Sequence, residues 1–132
     1  MKKFNLKKSI ITTCFLISLI AWGCSSDDET NINNNPPAAI IEKNFTIGKG
    51  ATLIYDLGAQ PIEGGYTITI NPKKSKVSHI ISSLKNGVHY EYIPIENFTG
   101  KDFVEITSII SIGNSNFYTD AIHKITIEVT SD

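Results

Sequence analysis

The chain has 132 residues, which suits one domain and hardly two. It contains 12 lysines, no arginine and 13 acidic residues; all the acids follow Cys24, whereas four lysines precede it. The chain after Cys24 therefore carries 8 lysines against 13 acids, a net charge of −5. This balance argues against a nucleic-acid partner, for which a basic face is expected.

The first 23 residues have the pattern of a secretory signal peptide. Met1–Lys8 carries four lysines and no acid, and Ser9–Trp22 is an uncharged run of 14 residues rich in Ile and Leu. A basic head, an apolar run of about 7–15 residues and a small residue before the cut define such peptides. We therefore predict a signal peptide over residues 1–23.

Two other interpretations of this segment stay open. The uncharged stretch Ser9–Ser26 has 18 residues, the lower limit for an uncleaved membrane span. Ala21-Trp22-Gly23 offers a loose site for the ordinary signal peptidase, which would release the protein without a lipid.

Cys24 favours a lipoprotein. The stretch Leu19–Ser25 reads LIAWGCS and resembles the lipobox of bacterial lipoproteins. The resemblance implies a diacylglyceryl group on the Cys24 thiol and cleavage before it, which the small Gly23 permits. We therefore predict Cys24 as the lipid-attachment residue and a membrane as its partner. Cys14 leaves with the signal, so the domain has no disulfide and must be held by its core.

Residues 24–37 form the predicted tether. Ser25–Pro37 reads SSDDETNINNNPP, with one apolar residue, and cannot build a core. As a flexible coil its ends lie roughly 20 Å apart on average. The run Ser25–Glu29 resembles the short acidic signals that send Bacteroidota lipoproteins to the outer face of the outer membrane. The expected location is the outer membrane at the cell surface, with its periplasmic face as the alternative.

Residues 38–132 change to a period of two, which predicts strands. Val88, Tyr90 and Tyr92 alternate with polar residues. The same alternation places Tyr66, Ile68 and Ile70 on one face, Val104, Ile106, Ile110 and Ile112 on another, and Ile125, Ile127 and Val129 on a third.

Turn signals separate these runs at spacings of about 8–15 residues. Asn86-Gly87 predicts a two-residue hairpin turn, and Asn71-Pro72 predicts another turn. The sequence therefore predicts an all-β sandwich of about seven strands.

Residues Tyr92–Val129 resemble the second half of bacterial Ig-like and cadherin-like repeats. Phe98-Thr99-Gly100-Lys101-Asp102 carries the resemblance, followed by a hydrophobic strand and a final alternating strand. In that family the turn joins two strands across the sandwich, Gly100 takes an unusual backbone angle, and the Asp102 side chain bonds nearby amides. Ile110 stands where the family has an Asp linked to calcium.

No residues form a recognisable catalytic set, and no cofactor is predicted. His79 lies near Ser78, Ser82 and Ser83, which suggests a hydrolase only as a remote alternative, because neither a nucleophile elbow nor an orienting acid accompanies it. His123 aligns with the apolar residues of the last strand, which predicts a partly buried or edge histidine.

Charged residues near turns offer weaker candidates. The acids Asp56, Glu63, Asp102 and Asp120 are expected to cap turns, with calcium binding as the alternative, and no spacing indicates a transition metal. The lysine cluster of residues 73, 74 and 76 predicts a solvated turn or a contact with anionic polysaccharide.

The segment Gly113–Asp120 (GNSNFYTD) is the predicted ligand-binding loop. Its candidate residues are Asn114, Asn116, Phe117 and Tyr118, because aromatic rings at a sandwich end can stack on sugars or anchor a protein. The alternative is that one or both rings pack beneath the loop.

Two functions follow as expectations. The first is a lipid-anchored, non-enzymatic Ig-like protein of the cell surface that serves adhesion, scaffolding or recognition of a surface glycan or protein. The alternative is an accessory subunit of a larger envelope complex, in the periplasm or at the surface.

Overall fold

The alternating segments of the chain form seven β-strands. A computed structural model describes residues 35–113 and 116–131, so the predicted signal peptide (1–23), Cys24 and most of the tether (24–37) lie outside the described residues. Over those two ranges no helix is long and apolar enough to cross a bilayer. The strands are β1 (Ala39–Gly48), β2 (Leu53–Gly58), β3 (Gly64–Ile70), β4 (Ser75–Ser83), β5 (Gly87–Pro94), β6 (Gly100–Ser111) and β7 (Phe117–Thr130).

The strands form two sheets with a shared core. One sheet has the order β1-β7-β6-β3 and the other the order β2-β5-β4. β1 runs parallel to β7 from the pair Ala39↔Ala121 to the pair Gly48↔Thr130, and the other four pairings are antiparallel. The predicted all-β sandwich of about seven strands is confirmed.

The core takes its side chains from one face of each strand. Val88, Tyr90 and Tyr92 of β5 are buried, whereas His89 and Glu91 lie on the opposite face, as the alternation predicts. Each large apolar side chain buried in this way stabilises the fold by about 1.5–3 kcal/mol. The other apolar side chains buried to this extent are Val104, Ile106, Ile125, Ile127 and Val129.

Two isoleucines predicted on the core face are exposed instead. A register shift in the pairing of β3 with β6 leaves Thr69 as an extra residue, so Ile70 lies opposite Glu105 on the outer face. Ile112 follows the end of β6 and faces solvent. A β-bulge reverses the face of the residues that follow it, which the alternation of apolar residues does not reveal.

β4 and β5 form the predicted hairpin, but its turn is longer than the predicted Asn86-Gly87 turn. Ser83 pairs with Gly87, so the turn consists of the three residues Leu84, Lys85 and Asn86. The Ser83 hydroxyl accepts hydrogen bonds from two amides of this turn, both at 3.4 Å.

β5 and β6 are joined by the predicted turn that crosses from one sheet to the other. Gly100 has a φ of +119°, a backbone conformation that residues with a Cβ resist. The Phe98 side chain packs against the core. This turn therefore combines a glycine in the left-handed region with an aromatic ring packed against the core.

The connections between strands lie at two ends of the sandwich. The N-terminal end, where the chain enters β1, carries the β2–β3, β4–β5 and β6–β7 connections, and the far end carries the other three. Hydrogen bonds link the connections within each end. At the N-terminal end the Ser82 hydroxyl donates to Gln60 Oε1 (2.6 Å), and the Ser111 amide donates to the Glu63 carbonyl (3.0 Å). At the far end the Lys49 amide donates to the Thr130 carbonyl, and the Ile95 amide donates to the Lys74 carbonyl, both at 2.9 Å.

Candidate functional site

The two aromatic residues of the predicted ligand-binding loop belong to a strand. Phe117 and Tyr118 begin β7, where they pair with Ser111 and Ile110 of β6. Phe117 is 55% exposed, whereas Tyr118 is half-buried. Only Phe117 therefore presents most of its ring to solvent.

The asparagines of this loop differ in what the structure describes. Asn116 is exposed, its amide donates to the Gly113 carbonyl at 3.1 Å, and its carbonyl accepts from the Ile112 amide at 3.2 Å. Asn114 lies outside the described residues. The two bonds of Asn116 close the end of the β6–β7 hairpin.

The serine and histidine side chains behind the hydrolase alternative do not meet. Ser78 precedes His79 in β4, so their side chains lie on opposite faces, and the Ser78 hydroxyl bonds the Tyr90 hydroxyl at 2.9 Å. Ser82 and Ser83 are engaged in the hydrogen bonds of the N-terminal end described above. These residues therefore assemble no nucleophile with a base.

Two histidines each have an acid nearby that sequence reasoning missed. His79 pairs with Glu91 across the β4–β5 hairpin, and its Nε2 lies 3.1 Å from Glu91 Oε2. His89 Nδ1 lies 3.6 Å from Asp56 Oδ1, beyond hydrogen-bond range. Counting residues outward from the hairpin turn could have found the first pair, because directly opposed residues lie on the same face.

The third histidine lies deeper than the partly buried or edge position that its alignment with Ile125 predicts. His123 is buried, and its Nδ1 lies 3.0 Å from the Tyr55 hydroxyl of the opposite sheet. Its ring also meets the rings of Tyr55 and Tyr66 edge-on. Burial lowers the pKa of His123, because the charged ring would lose its hydration.

The four acids considered as calcium ligands are not gathered in one place. Asp102 lies at the far end, away from Glu63 and Asp120. Asp56 caps a turn, as expected, since its Oδ1 accepts a hydrogen bond from the Gly58 amide at 2.8 Å. In residues 35–113 and 116–131 no three His, Cys, Asp or Glu side chains are grouped to hold a metal ion.

Asp102 organises the far end of the sandwich. Asp102 is buried, and its Oδ1 accepts hydrogen bonds from the amides of Lys73 (2.9 Å) and Phe103 (3.0 Å). Its Oδ2 accepts from the Lys74 amide (2.8 Å) and from the Tyr92 hydroxyl (3.2 Å). Burial, together with the Asp102 charge, raises the pKa of Tyr92. The carboxylate therefore bonds nearby amides as predicted, and it fixes the β3–β4 turn against β6.

A pocket of about 380 Å³ lies next to this turn. Its lining combines the ring of Phe103, which is 36% exposed, with two lysines, Lys73 and Lys101. An apolar ring beside a few cationic donors suits a ligand that carries negative charge on a partly apolar ring, such as an acidic sugar. The remaining lining residues are Ile70, Asn71, Asp102 and Thr126.

Lysines are concentrated at the far end. Among the residues that the structure describes, no lysine has a carboxylate within 4.0 Å, so these charges are not neutralised by an ion pair. A second pocket, of about 320 Å³, has Lys49, Lys76 and Glu96 in its lining. The sequence shows only part of this group of far-end lysines, because its members lie far apart in the chain. Five of the eight lysines after Cys24 belong to it: Lys49, Lys73, Lys74, Lys76 and Lys101.

The protein is thus a seven-stranded β-sandwich with a lysine-rich end that holds two pockets. No protein-family model matches the chain, and no curated protein matches it in sequence. The geometry of the described residues is therefore the basis for a function.

Proposed function

We propose that the chain is a lipid-anchored, non-enzymatic cell-envelope protein whose β-sandwich recognises an acidic surface polymer through its far end. The observation that carries this proposal is the position of the five lysines, at the end opposite to the start of β1. A tether that joins β1 leaves the far end accessible to a ligand beyond the membrane.

Sequence features support the location and the anchor. The lipobox-like residues before Cys24 favour a lipid on its thiol, and the acidic run Ser25–Glu29 favours the outer face of the outer membrane. Acylation with more than one chain gives stable anchoring. The proposed location is therefore the cell surface, and the periplasmic face of the outer membrane is the alternative.

The topology supports the Ig-like and cadherin-like resemblance. Immunoglobulin constant domains place the first, second, fourth and fifth strands in one sheet and the third, sixth and seventh in the other. Here the first strand lies beside the seventh, and the remaining strands divide in the same way. The crossing turn with Gly100 and Asp102 adds local support.

The chemistry of the far end favours an acidic glycan as the ligand. Lys73 and Lys101 supply point charges, and Phe103 supplies an apolar surface for a sugar ring. Because lysine does not make the bidentate bonds of arginine, binding should depend on several contacts and weaken as the salt concentration rises.

Binding of polygalacturonate tests the proposal, with neutral dextran as the comparison polymer. Replacing Lys73 and Lys101 with Gln should weaken binding about tenfold, equivalent to ~1.4 kcal/mol. The matched control replaces Lys43 and Lys85, which lie away from the far end and change the net charge equally. Equal losses in both variants would refute a site at the far end, and absence of binding to any acidic polymer would refute this ligand class.

Protease treatment of intact cells tests the location. An antibody against residues after Pro37 should lose its signal in intact cells if the domain lies outside. A signal that survives in intact cells and disappears after lysis would place the domain in the periplasm.

A second candidate function, an accessory subunit of an envelope complex, is favoured by the outer face of the three-stranded sheet. Ile54 and Ile81 are exposed there, beside Glu91 and His89. Such side chains could contact a partner protein. Purification of a stoichiometric partner, lost when both isoleucines are changed to Ser, would support this function over glycan recognition.

A further inference from the structure

The N-terminal end carries a different surface from the lysine-rich far end. Ile62 of the β2–β3 connection and Leu84 of the β4–β5 turn are fully exposed. Ile112, the first residue of the β6–β7 connection, and Phe117, the first residue of β7, are 61% and 55% exposed. These four are the most exposed large apolar side chains of the described residues, and each of the three connections contributes at least one.

Contacts between the backbones hold the three connections beside one another. The Ser111 amide, next to Ile112, donates to the carbonyl of Glu63, which adjoins Ile62. Gly87, which follows the β4–β5 turn, lies so close to Gly58 that an added Cβ would come within 2.7 Å of the Gly58 carbonyl oxygen. The exposed side chains therefore belong to one end surface rather than to scattered positions.

The β6–β7 hairpin extends beyond the start of β1 at this end. Ala39, the first residue of β1, pairs with Ala121, and β7 begins four residues earlier at Phe117. At about 3.3 Å per residue the hairpin projects about 13 Å past the start of β1. Ile112 and Phe117, at the tip of this hairpin, therefore lie beyond the start of β1, at the end of the sandwich where the chain enters β1.

The covalent reach of the tether is short. Asn35, the first described residue, lies eleven positions after Cys24 in the chain. Even fully extended, eleven residues span at most about 40 Å. An acylated Cys24 would hold the N-terminal end close to the lipid surface, where its apolar tips meet lipid at high effective concentration.

We infer that the N-terminal end docks on the bilayer that anchors the chain, with Ile62, Leu84, Ile112 and Phe117 in the interface between headgroups and acyl chains. The inference depends on the lipid anchor of the proposed function. Glu63 and Lys85 adjoin two of the tips, and because charged groups resist transfer into hydrocarbon they limit insertion to that interface. The sandwich then stands on the membrane with its lysine-rich end directed outward.

A single tryptophan can report the contact, because the sole tryptophan of the chain, Trp22, lies in the predicted signal peptide. The lipidated protein, purified from membranes, is reconstituted into phosphatidylethanolamine and phosphatidylglycerol vesicles with brominated acyl chains, which quench nearby tryptophan. Phe117→Trp should be quenched strongly. The matched control Phe103→Trp, at the far end, should keep its fluorescence.

A second pair of changes separates docking from chance contact. Ile62→Ser and Leu84→Ser, added to Phe117→Trp, should each lower the ratio of inserted to free domain about tenfold, equivalent to ~1.4 kcal/mol. Ile54→Ser, on the outer face of β2, should leave the quenching unchanged. Equal effects from Ile54→Ser would overturn the inference.

Flotation of the vesicles distinguishes the remaining outcomes. Protein that floats with the vesicles while Phe117→Trp stays unquenched overturns docking and leaves the anchor intact. A blue-shifted but unquenched emission also overturns docking and assigns the tips to a protein contact, including a second copy of the chain. Protein that does not float refutes the anchor, and the proposed function with it.

Discussion

Removal of the Asp102 carboxylate should destabilise the sandwich markedly. Asp102→Ala loses four hydrogen bonds, two from amides of the β3–β4 turn, one from the Phe103 amide and one from the buried Tyr92 hydroxyl. The amides of Lys73 and Lys74 can bind water once they are released, so the loss of each of these hydrogen bonds should lower the free energy of unfolding by about 0.5–1 kcal/mol. The Phe103 amide and the Tyr92 hydroxyl bond a buried carboxylate, so the loss of each of these hydrogen bonds should lower the free energy of unfolding by about 1–1.5 kcal/mol. The expected total is about 3–5 kcal/mol.

Urea unfolding measures this loss of stability, provided that the slope of the free energy of unfolding against urea concentration stays unchanged. Asp102→Asn should lie between the wild type and Asp102→Ala, because an amide keeps one acceptor oxygen but presents its NH₂ group to two of the four donors. Asp56→Ala is the matched control, with one hydrogen bond at an exposed turn, and should cost no more than about 1 kcal/mol. A loss below about 1 kcal/mol for Asp102→Ala would refute the role assigned to this carboxylate.

Two further predictions concern a glycine and a histidine. Gly64→Ala should lower the free energy of unfolding by about 3 kcal/mol or more, because Gly64 has a φ of +125° and an added Cβ would overlap the Ile109 carbonyl. The control Gly113→Ala, at a φ of +98° with open space around it, should lower it by about 1 kcal/mol. Equal losses of stability in thermal unfolding would contradict the steric explanation. Burial lowers the pKa of His123 in the folded state, so on acidification the unfolded state takes up this proton first. The free energy of unfolding should therefore keep its full value above a pH of about 6.5 and fall as the pH drops through the lowered pKa. His123→Phe should reduce this pH dependence in urea unfolding, and the idea fails if the exposed control His79→Gln reduces it equally.

The sequence predicts the sandwich well where apolar alternation is regular. Val88, Tyr90 and Tyr92 show their burial directly, because every second residue of a strand shares a face. The crossing turn with Asp102 was predictable from a local motif, since its glycine and its carboxylate serve the backbone within a short segment. Ile70 was mispredicted because the bulge that turns it outward depends on the pairing of β3 with β6.

The candidate site was predicted only in part, because it is assembled from distant segments. The lysine cluster at the β3–β4 turn is visible in the sequence, but Lys49 and Lys101 join it only through the topology. Alternation with Val104 is enough to place Phe103 on the outer face, but only the topology shows that it lies beside a lysine-rich turn. Phe117 was identified as an exposed ring, but its position at the end opposite to the lysines needs the strand order.

The parallel pairing of β1 with β7 has a mechanical consequence. The ten residue pairs from Ala39↔Ala121 to Gly48↔Thr130 lie along the direction in which a pull on the start of β1 would act. Tension between the start of β1 and the opposite end of the domain would load the hydrogen bonds of this ladder in shear. Because these bonds are evenly spaced along the two strands, they would share the load and would not break one after another. A sandwich pulled between the start of its first strand and its far end should therefore resist unfolding more strongly than one whose terminal strands separate one pair at a time.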